Sequence, residues 1–589
     1  MDVFLSFQTV APGIIHYLDA TNRTLPCIIK TLIPCPKGLP MKIPISRTMM
    51  WRALLVAAAM FLYFSGLGAH GLLEPDEGRY SEITREMLES GDFVTPRLNY
   101  VKYFEKPVLT YWLTAGSMAV LGQTEFAARL LPALAALGCA LTVWILSRRM
   151  FGPNDAFFSA AILLTSLLHF VLGRIHITDM PLSLFITLAM AGLWFGLEKD
   201  RRFLLVFHGG MALALLTKGL VGIVLPGGIL LCFVILTRRW NLFRRVFYLP
   251  GILLFFAVSI PWFAEVCRRN SDFFSFFFIR EHFLRYATKM HERYEPGWYF
   301  IPFLFMGFVP WSGLVPAGLK SVLPSSLRNF VLEKRKELFL LLWAGVIFLF
   351  FSFSGSKLIP YILPVFPPLS MLMGNRLARF AEGKNPGEAK WFFILTALFL
   401  IPFAAALAAY PFLGGRDIPG MAFRSLPPAA ALLAFLSGGW ILHRQRKFMA
   451  AAIFLCLMAF ASMFAFQPGM AFYEGLRSTR ELASVIGEIR RDGDVVVQYE
   501  GYDQGLPFYL KQRIVLVNYL GELEFGASQE KDPSWFVNDE GLKRLWGEER
   551  RVLLVIGRNR LEKVSGLLGP GLPSIAGKTS RRLVLVNRP

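Results

Sequence analysis

Apolar runs long enough to cross a bilayer recur from residue 50 to about residue 467. They lie near 50–69, 127–146, 155–173, 178–197, 202–217, 220–236, 247–266, 298–316, 337–353, 358–374, 391–410, 425–442 and 449–466. That predicts about thirteen transmembrane helices. Composition agrees: 54% of the 589 residues are hydrophobic, 55 are Phe, and only 17% are charged, where a soluble domain averages about a quarter. The chain is read as an α-helical polytopic membrane protein.

The net charge of +21 raises the question of nucleic acid. The bases instead sit in small clusters between apolar runs, with no single basic face, so nucleic-acid binding is set aside. The clusters follow the positive-inside rule. Arg148 and Arg149, Arg201 and Arg202, Arg244 and Arg245, Arg335 and Lys336, and Arg444 and Arg446 mark alternate loops. These loops are expected in the cytoplasm together with the N-terminus. The other loops, and the tail beyond the last span, then face outward, which in a bacterium means the periplasmic side of the inner membrane. The six cysteines form neither a disulfide framework nor a metal-site spacing.

Segment 1–48 has no periodicity and no signal-peptide layout. Met49 and Met50 directly precede the first span, so this segment is expected to be in part an upstream extension. Residues 49–467 form the predicted membrane domain, with outer loops at 71–107 and 267–297. Residues 107–122 read as a second interfacial helix. Beyond 467, strand-like runs at 495–499, 514–517, 552–556 and 583–586 alternate with helix-like ones at 478–491, 542–546 and 558–567. That alternation predicts a C-terminal periplasmic α/β domain over 468–589. It has no Gly-rich phosphate loop and is expected to act as a helper domain.

The loop 71–107 organises the rest. Residues 81–90 read as a short helix stopped by Gly91. Tyr80, Ile83 and Met87 share a face, with Glu82, Glu86 and Glu89 mostly off it. This is the pattern of a helix lying on a membrane surface. On that reading Glu82, Arg85 and Glu86 are solvated, Glu77 caps the helix, and Arg174 and His176 touch headgroups.

A charged group at mid-bilayer costs about 2.5–3.5 kcal/mol on insertion scales, so such groups tend to be paired or functional. Here they gather at the outer ends of the spans. Asp76, Glu77, Arg79, Glu105 and Lys106 come from the first loop, and Arg174, His176 and Asp179 from the next outer turn. Lys218, then Arg280, Glu281, His282 and Arg285, then Lys357 and Tyr361 complete the set. Both signs at a membrane surface suit a lipid-linked phosphate. Lys and Arg neutralise it, Tyr donates to it, and an acid beside it acts as general base on an incoming hydroxyl or phosphate.

The runs PDEGRYSEI, FEKP, TDMP, LTKG, EHFLRY and SKLIPYILP, in that order, resemble those of the bacterial aminoarabinose lipid A transferases. These belong to the polyprenyl-phosphate-dependent membrane glycosyltransferases, a family that includes the protein O-mannosyltransferases. The resemblance covers roughly residues 50–380. It implies inverting transfer of a sugar from undecaprenyl phosphate to lipid A or another envelope acceptor. It also implies interfacial helices in the first outer loop. Carried over motif by motif, Asp76 matches the catalytic acid and Asp179 a second cavity acid. Lys106, Arg285 and Tyr361 match the groups that hold the lipid phosphate, and Lys218 a cavity lysine, with Arg79 and Lys357 beside them. Glu105 and His282 match positions that could hold a divalent metal, though no cofactor is expected to be required.

Two other classes compete. A lipid-linked sugar transporter or flippase would place polar groups near the midplane and show internal repeats. No repeat is found, and the charges cluster at the outer edge. A binding subunit would leave the acid of the first loop without a role. Within the enzyme class, transfer to protein hydroxyls is the alternative to lipid A.

Overall fold

In the computed structural model the described residues are 47–284, 295–320, 333–384, 386–413, 421–569 and 574–588. Most of the predicted extension 1–48 lies outside them, as do Arg285 and the side chain of His282.

Every predicted apolar run coincides with helix. The order is α1 (Arg47–Phe64), α2 (Asp76–Ser90), a hairpin of β1 (Arg97–Leu98) and β2 (Val101–Lys102), α3 (Leu109–Leu121), α4 (Glu125–Met150), α5 (Pro153–Leu164), α6 (Leu167–Leu172), α7 (Asp179–Glu198) and α8 (Leu204–Lys218). It continues with α9 (Val221–Thr237), α10 (Leu249–Arg269), α11 (Phe300–Gly307), α12 (Leu314–Lys320), α13 (Arg335–Phe353), α14 (Phe366–Ala381), α15 (Pro386–Leu413), α16 (Met421–Arg444) and α17 (Phe448–Arg477). Among the described residues, seven helices are long and apolar enough to cross a membrane, and three shorter apolar helices accompany them.

Two runs read as continuous spans are broken in the middle. In the first, the Thr165 and Ser166 hydroxyls each donate to the carbonyl four residues back, at 2.6 Å. This bond competes with the helix ladder and ends α5. Thr165 also accepts from the buried Trp311 indole at 2.9 Å. Trp311 lies in the break between α11 and α12, where Pro310 supplies no N–H. The two breaks are tied together, since Leu167 N–H donates to the Val309 carbonyl at 3.1 Å.

After α17 come α18 (Arg480–Ile489), β3 (Val495–Tyr499), α19 (Leu506–Leu510), β4 (Val515–Val517), β5 (Phe536–Val537), α20 (Asp539–Gly547), β6 (Val552–Gly557), α21 (Leu561–Leu568), β7 (Ser574–Lys578) and β8 (Arg582–Val586). The six strands form one sheet in the order β5-β4-β3-β6-β8-β7. The first four run parallel, β8 runs antiparallel to β6, and β7 pairs antiparallel with β8. All four strands read from the sequence are present; β5 and β7 are the additions.

The loop helix α2 starts five residues before its predicted start and ends as expected. Gly91 takes a left-handed conformation, φ 68°, and donates back to the Met87 carbonyl. The expected solvated face is not solvated. Glu82, Arg85 and Glu86 are at most 2% exposed, because the sheet domain sits on them. The approach is backbone to backbone: a Cβ on Gly78 would stand 2.5 Å from the Gly505 nitrogen. Arg85 grips Glu82 through two bonds of 2.7 Å, which satisfies both charges away from water.

The hairpin after α2 was not read from the sequence. Its turn residues Asn99 and Tyr100 both have positive φ, 52° and 65°, the geometry that matches hairpin twist. Asn99 exchanges two hydrogen bonds with the backbone of Ile514, at 2.9 and 3.0 Å. Loop and sheet domain are therefore one packed body at this end.

Candidate active site

The elements that end at this level enclose a cavity of about 300 Å³. Helix α2 contributes Asp76, Arg79 and Tyr80, and the loop end contributes Glu105 and Lys106. Asp179 is the first residue of α7 and Lys218 the last of α8. An acid at a helix N-terminus and a base at a C-terminus are each favoured by the helix dipole. The two meet at 2.5 Å. Tyr361, on the 3-10 turn Ile359–Val365, lies under Lys218, with the ammonium 4.7 Å from the ring centroid.

Asp76, Asp179, Lys106, Lys218, Arg79, Tyr361 and Glu105 thus line one cavity. Lys357 does not line it. Its ammonium donates to the carbonyls of Glu295 and Ser354, both at 2.7 Å, and so ties backbone segments behind the site. Arg285 and the His282 side chain lie outside the described residues. The described residues hold no cluster of three or more His, Cys, Asp or Glu able to take a metal ion, and Glu105 has the Lys106 ammonium at 3.9 Å.

Two expectations about neighbouring charges are corrected. Arg174 and His176 do not face headgroups. Arg174 is 2% exposed and donates to the carbonyls of Leu62, Tyr63 and Ser65. His176 is enclosed between the hydroxyls of Ser81 and Thr114. Glu77 is no simple cap. It accepts two bonds from Arg129 and one each from the backbone N–H of Leu73 and His176.

The sheet domain supplies a wall that sequence reasoning missed. Gly521, Glu522, Glu524 and Phe525 face the cavity, so the domain is part of the site and more than a helper. Glu522 accepts from Arg79 Nη2 at 2.8 Å and from Gln504 Nε2 at 3.3 Å. Arg79 Nε donates to Gln504 Oε1 at 2.7 Å, and Arg79 Nη1 stands 3.5 Å from Asp76. One guanidinium therefore holds Asp76 on one arm and Glu522 on the other. Burial, together with the nearby Glu105 and Asp76 charges, pushes the Glu522 carboxyl up against the pull of Arg79. The available signal was its place just after the C-terminal end of parallel strand β4, where open α/β sheets carry their binding loops. The π-helical stretch Ser275–Leu284 closes the rim. It contributes Phe276, Arg280 and Glu281. The Phe276 and Phe525 rings meet tilted at 35°, with centroids 4.3 Å apart, and Arg280 reaches Glu524 at 3.6 Å.

Comparisons with known proteins agree with this arrangement. Residues 105–264 match the family model described as dolichyl-phosphate-mannose-protein mannosyltransferase. Residues 482–587 match the aminoarabinose transferase C-terminal domain. An undecaprenyl phosphate-alpha-4-amino-4-deoxy-L-arabinose arabinosyl transferase of Pectobacterium atrosepticum is 31% identical, over 86% of this chain and 92% of its own. The chain belongs to this family of arabinosyl transferases. The member from Edwardsiella ictaluri is 29% identical over 89% of this chain and 96% of its own. The crystal structure of ArnT from Cupriavidus metallidurans bound to undecaprenyl phosphate superposes with a TM-score of 0.80 at 30% identity. That match covers 92% of this chain and 98% of the other. The family is one of membrane glycosyltransferases, and both ends of the match, membrane helices and sheet domain, are present here.

Proposed function

We propose that this chain transfers 4-amino-4-deoxy-L-arabinose from undecaprenyl phosphate to lipid A at the periplasmic face of the bacterial inner membrane. The observation that carries the reading is the single cavity in which Asp76 lies with Lys106, Lys218, Asp179 and Tyr361. An oxygen of the acceptor attacks the anomeric carbon. The bond from that carbon to the donor phosphate breaks, and its electron pair leaves with the phosphate. Asp76, whose side chain is 53% exposed into the cavity, takes the acceptor's proton as general base. Lys106 and Tyr361, with Arg285 from the second outer loop, hold the lipid phosphate as its charge develops. Lys218 and Asp179 keep each other oriented at the cavity wall. Configuration inverts, since attack and departure take place on opposite faces.

The finer membrane arrangement belongs to the same reading. About thirteen crossings, with the N-terminus in the cytoplasm and the sheet domain in the periplasm, follow from the placement of the basic clusters. Protease added from the periplasmic side is expected to cut the sheet domain and spare those clusters. No step is routed through a metal. Glu105 and His282 are the pair a divalent ion would use, and transfer that survives EDTA is the expected result.

The decisive assay compares wild type with Asp76→Asn in membranes, using undecaprenyl phosphate-linked aminoarabinose and mass spectrometry of lipid A and total protein. Loss of a general base lowers the rate by about 10²–10⁴-fold, with the protein still folded. Equal rates would remove Asp76 from the reaction. Sugar found on protein and absent from lipid A would favour the protein-transfer reading, to which the match over residues 105–264 also points.

A further inference from the structure

The last membrane helix continues past its apolar stretch. The span-forming part of α17 is Phe448–Gly469, and the helix runs on to Arg477. From residue 469 to residue 475 the rise is about 9 Å, little reduced by the usual tilt of about 20°. The headgroup layer on each side of a bilayer is about 5–8 Å deep. The end of α17 therefore stands at the outer edge of the headgroups.

The sheet domain meets α17 at that level through one turn. Residues 579–581 join β7 to β8, and the Ser580 hydroxyl donates to the Gly475 carbonyl at 3.4 Å. The turn is closed on itself. The Thr579 N–H donates to the Arg582 carbonyl at 3.0 Å, and the Arg582 N–H donates to the Thr579 hydroxyl at 3.0 Å. The Arg558 guanidinium donates to the Thr579 carbonyl. Lys578 and Ser580 are exposed at the turn, and Arg477 is exposed at the helix end. Other bases nearby are taken: Arg480 by Glu125 and Glu474, and Arg582 by Asp503. Among the described residues, neither Arg477 nor Lys578 forms an ion pair, and Glu481 is the acid that remains in the cleft under the turn. The flanking stretches 470–473 and 570–573 carry no charge in the sequence.

We infer that the β7–β8 turn and the end of α17 rest the sheet domain on anionic phospholipid headgroups, through Lys578 and Arg477. The inference rests on the proposed crossing of the membrane by α17, and does not depend on which sugar or acceptor the cavity takes. The two bases are exposed on a surface and not gathered in a pocket. What they meet is the charge of the surrounding leaflet, and not one enclosed molecule. A base near an anionic leaflet strengthens attachment about fivefold, and headgroup depth is within the screening length of about 8–10 Å. The contact reaches the cavity by a short path. Arg582, the first residue of β8, donates to Asp503 at 2.6 Å. The next residue, Gln504, accepts from the Arg79 guanidinium of the cavity at 2.7 Å. Footing the turn on the leaflet thus sets the height of the wall that carries Gln504.

The test is amide hydrogen exchange of the full-length protein in nanodiscs, read over residues 577–582. Three bilayers are compared: phosphatidylcholine alone, phosphatidylcholine with phosphatidylglycerol, and phosphatidylcholine with lipid A. In wild type, phosphatidylglycerol is expected to slow exchange in the turn by at least about fivefold, and salt at about 1 M to remove the effect. The double variant Arg477→Gln, Lys578→Gln is expected to lose the slowing. Unchanged exchange in β3 and β6 shows that its sheet domain is still folded. Equal exchange in wild type with and without phosphatidylglycerol overturns the inference, as does slowing that survives in the double variant. Slowing by lipid A with none by phosphatidylglycerol overturns it too, because the turn would then be a site for one particular lipid. Transfer is measured separately on the same nanodiscs, so failure of the lipid contact and failure of the transferase reading are told apart.

Discussion

Glu77 and Arg129 face each other with neither side chain exposed. The carboxylate takes a two-pronged grip from the guanidinium at 2.7 and 2.8 Å, and both partners spend their remaining capacity on backbone. Arg129 donates to the carbonyls of Leu67, His70 and Gly71. This pair holds the path of the chain from α1 into the loop, so the position of Asp76, one residue away, depends on it. Glu77→Ala would leave a buried guanidinium uncompensated, a loss of about 3–5 kcal/mol. Chemical or thermal unfolding of the purified protein checks it; a change below about 1 kcal/mol would mean that water reaches Arg129. The neighbouring residues divide cleanly: Asp76 faces the cavity and Glu77 faces the interior, as two successive helix positions must. In the sequence the two acids look alike, and only the partner from α4, distant along the chain, separates their roles.

At the scale of elements, helix α2 works as a two-sided plate. One face carries Asp76, Arg79 and Tyr80 to the cavity. The other is pressed against α19 and its preceding turn. Gly78 is the point of closest approach. A Cβ there would stand 2.5 Å from the Gly505 nitrogen and 2.8 Å from its Cα, backbone that cannot yield by rotating a side chain. Gly78→Ala is expected to push the sheet domain off α2 although alanine is the better helix former. Limited proteolysis near 477–480 would then be faster than in wild type, and transfer activity would fall with it. Unchanged cleavage would show that the domain can shift without parting. The helix and its glycine stop were legible from local sequence, because propensity and the Gly91 terminator act within a few residues. The burial of Glu82, Arg85 and Glu86 was not. Their spacing is that of a polar face, and what covers that face comes from residues more than 400 positions later.

At the scale of the whole molecule, Glu74 is the clasp between membrane and sheet domains. Its carboxyl oxygens accept from the Gly505 and Gln504 backbone N–H groups at 2.6 and 3.0 Å and from the Thr479 hydroxyl at 3.2 Å. Its own N–H donates to the Arg477 carbonyl at 2.7 Å. Burial, reinforced by the Asp503 charge, pushes its pKa up from an ordinary 4.5 to about 8. The folded protein therefore keeps a proton that the unfolded chain releases. Stability from this group is full below pH 4.5 and is lost as pH rises through about 8. The unfolding midpoint of wild type is expected to drop between pH 4.5 and about 8, and Glu74→Gln to flatten that slope. Parallel slopes in the two proteins would show that Glu74 ionises normally in the fold.

What the sequence determined by itself is what acts over short distances. The apolar runs set where helices form, the basic clusters suggested which ends face inward, and alternating strand and helix patterns marked the sheet domain. The acids and bases at span ends, Asp76, Lys106, Asp179, Lys218 and Tyr361 among them, were legible because charge beside an apolar run is costly and stands out. Tertiary structure decided the rest. It broke two of the runs, through hydroxyls that bond their own helix and a proline that cannot. It buried polar groups that pattern alone assigned to water, and brought Glu522 to the Arg79 guanidinium that Asp76 shares. Each of these depends on which distant surfaces meet. Burial and ion pairing are properties of that meeting, and a linear pattern records only one of the two sides.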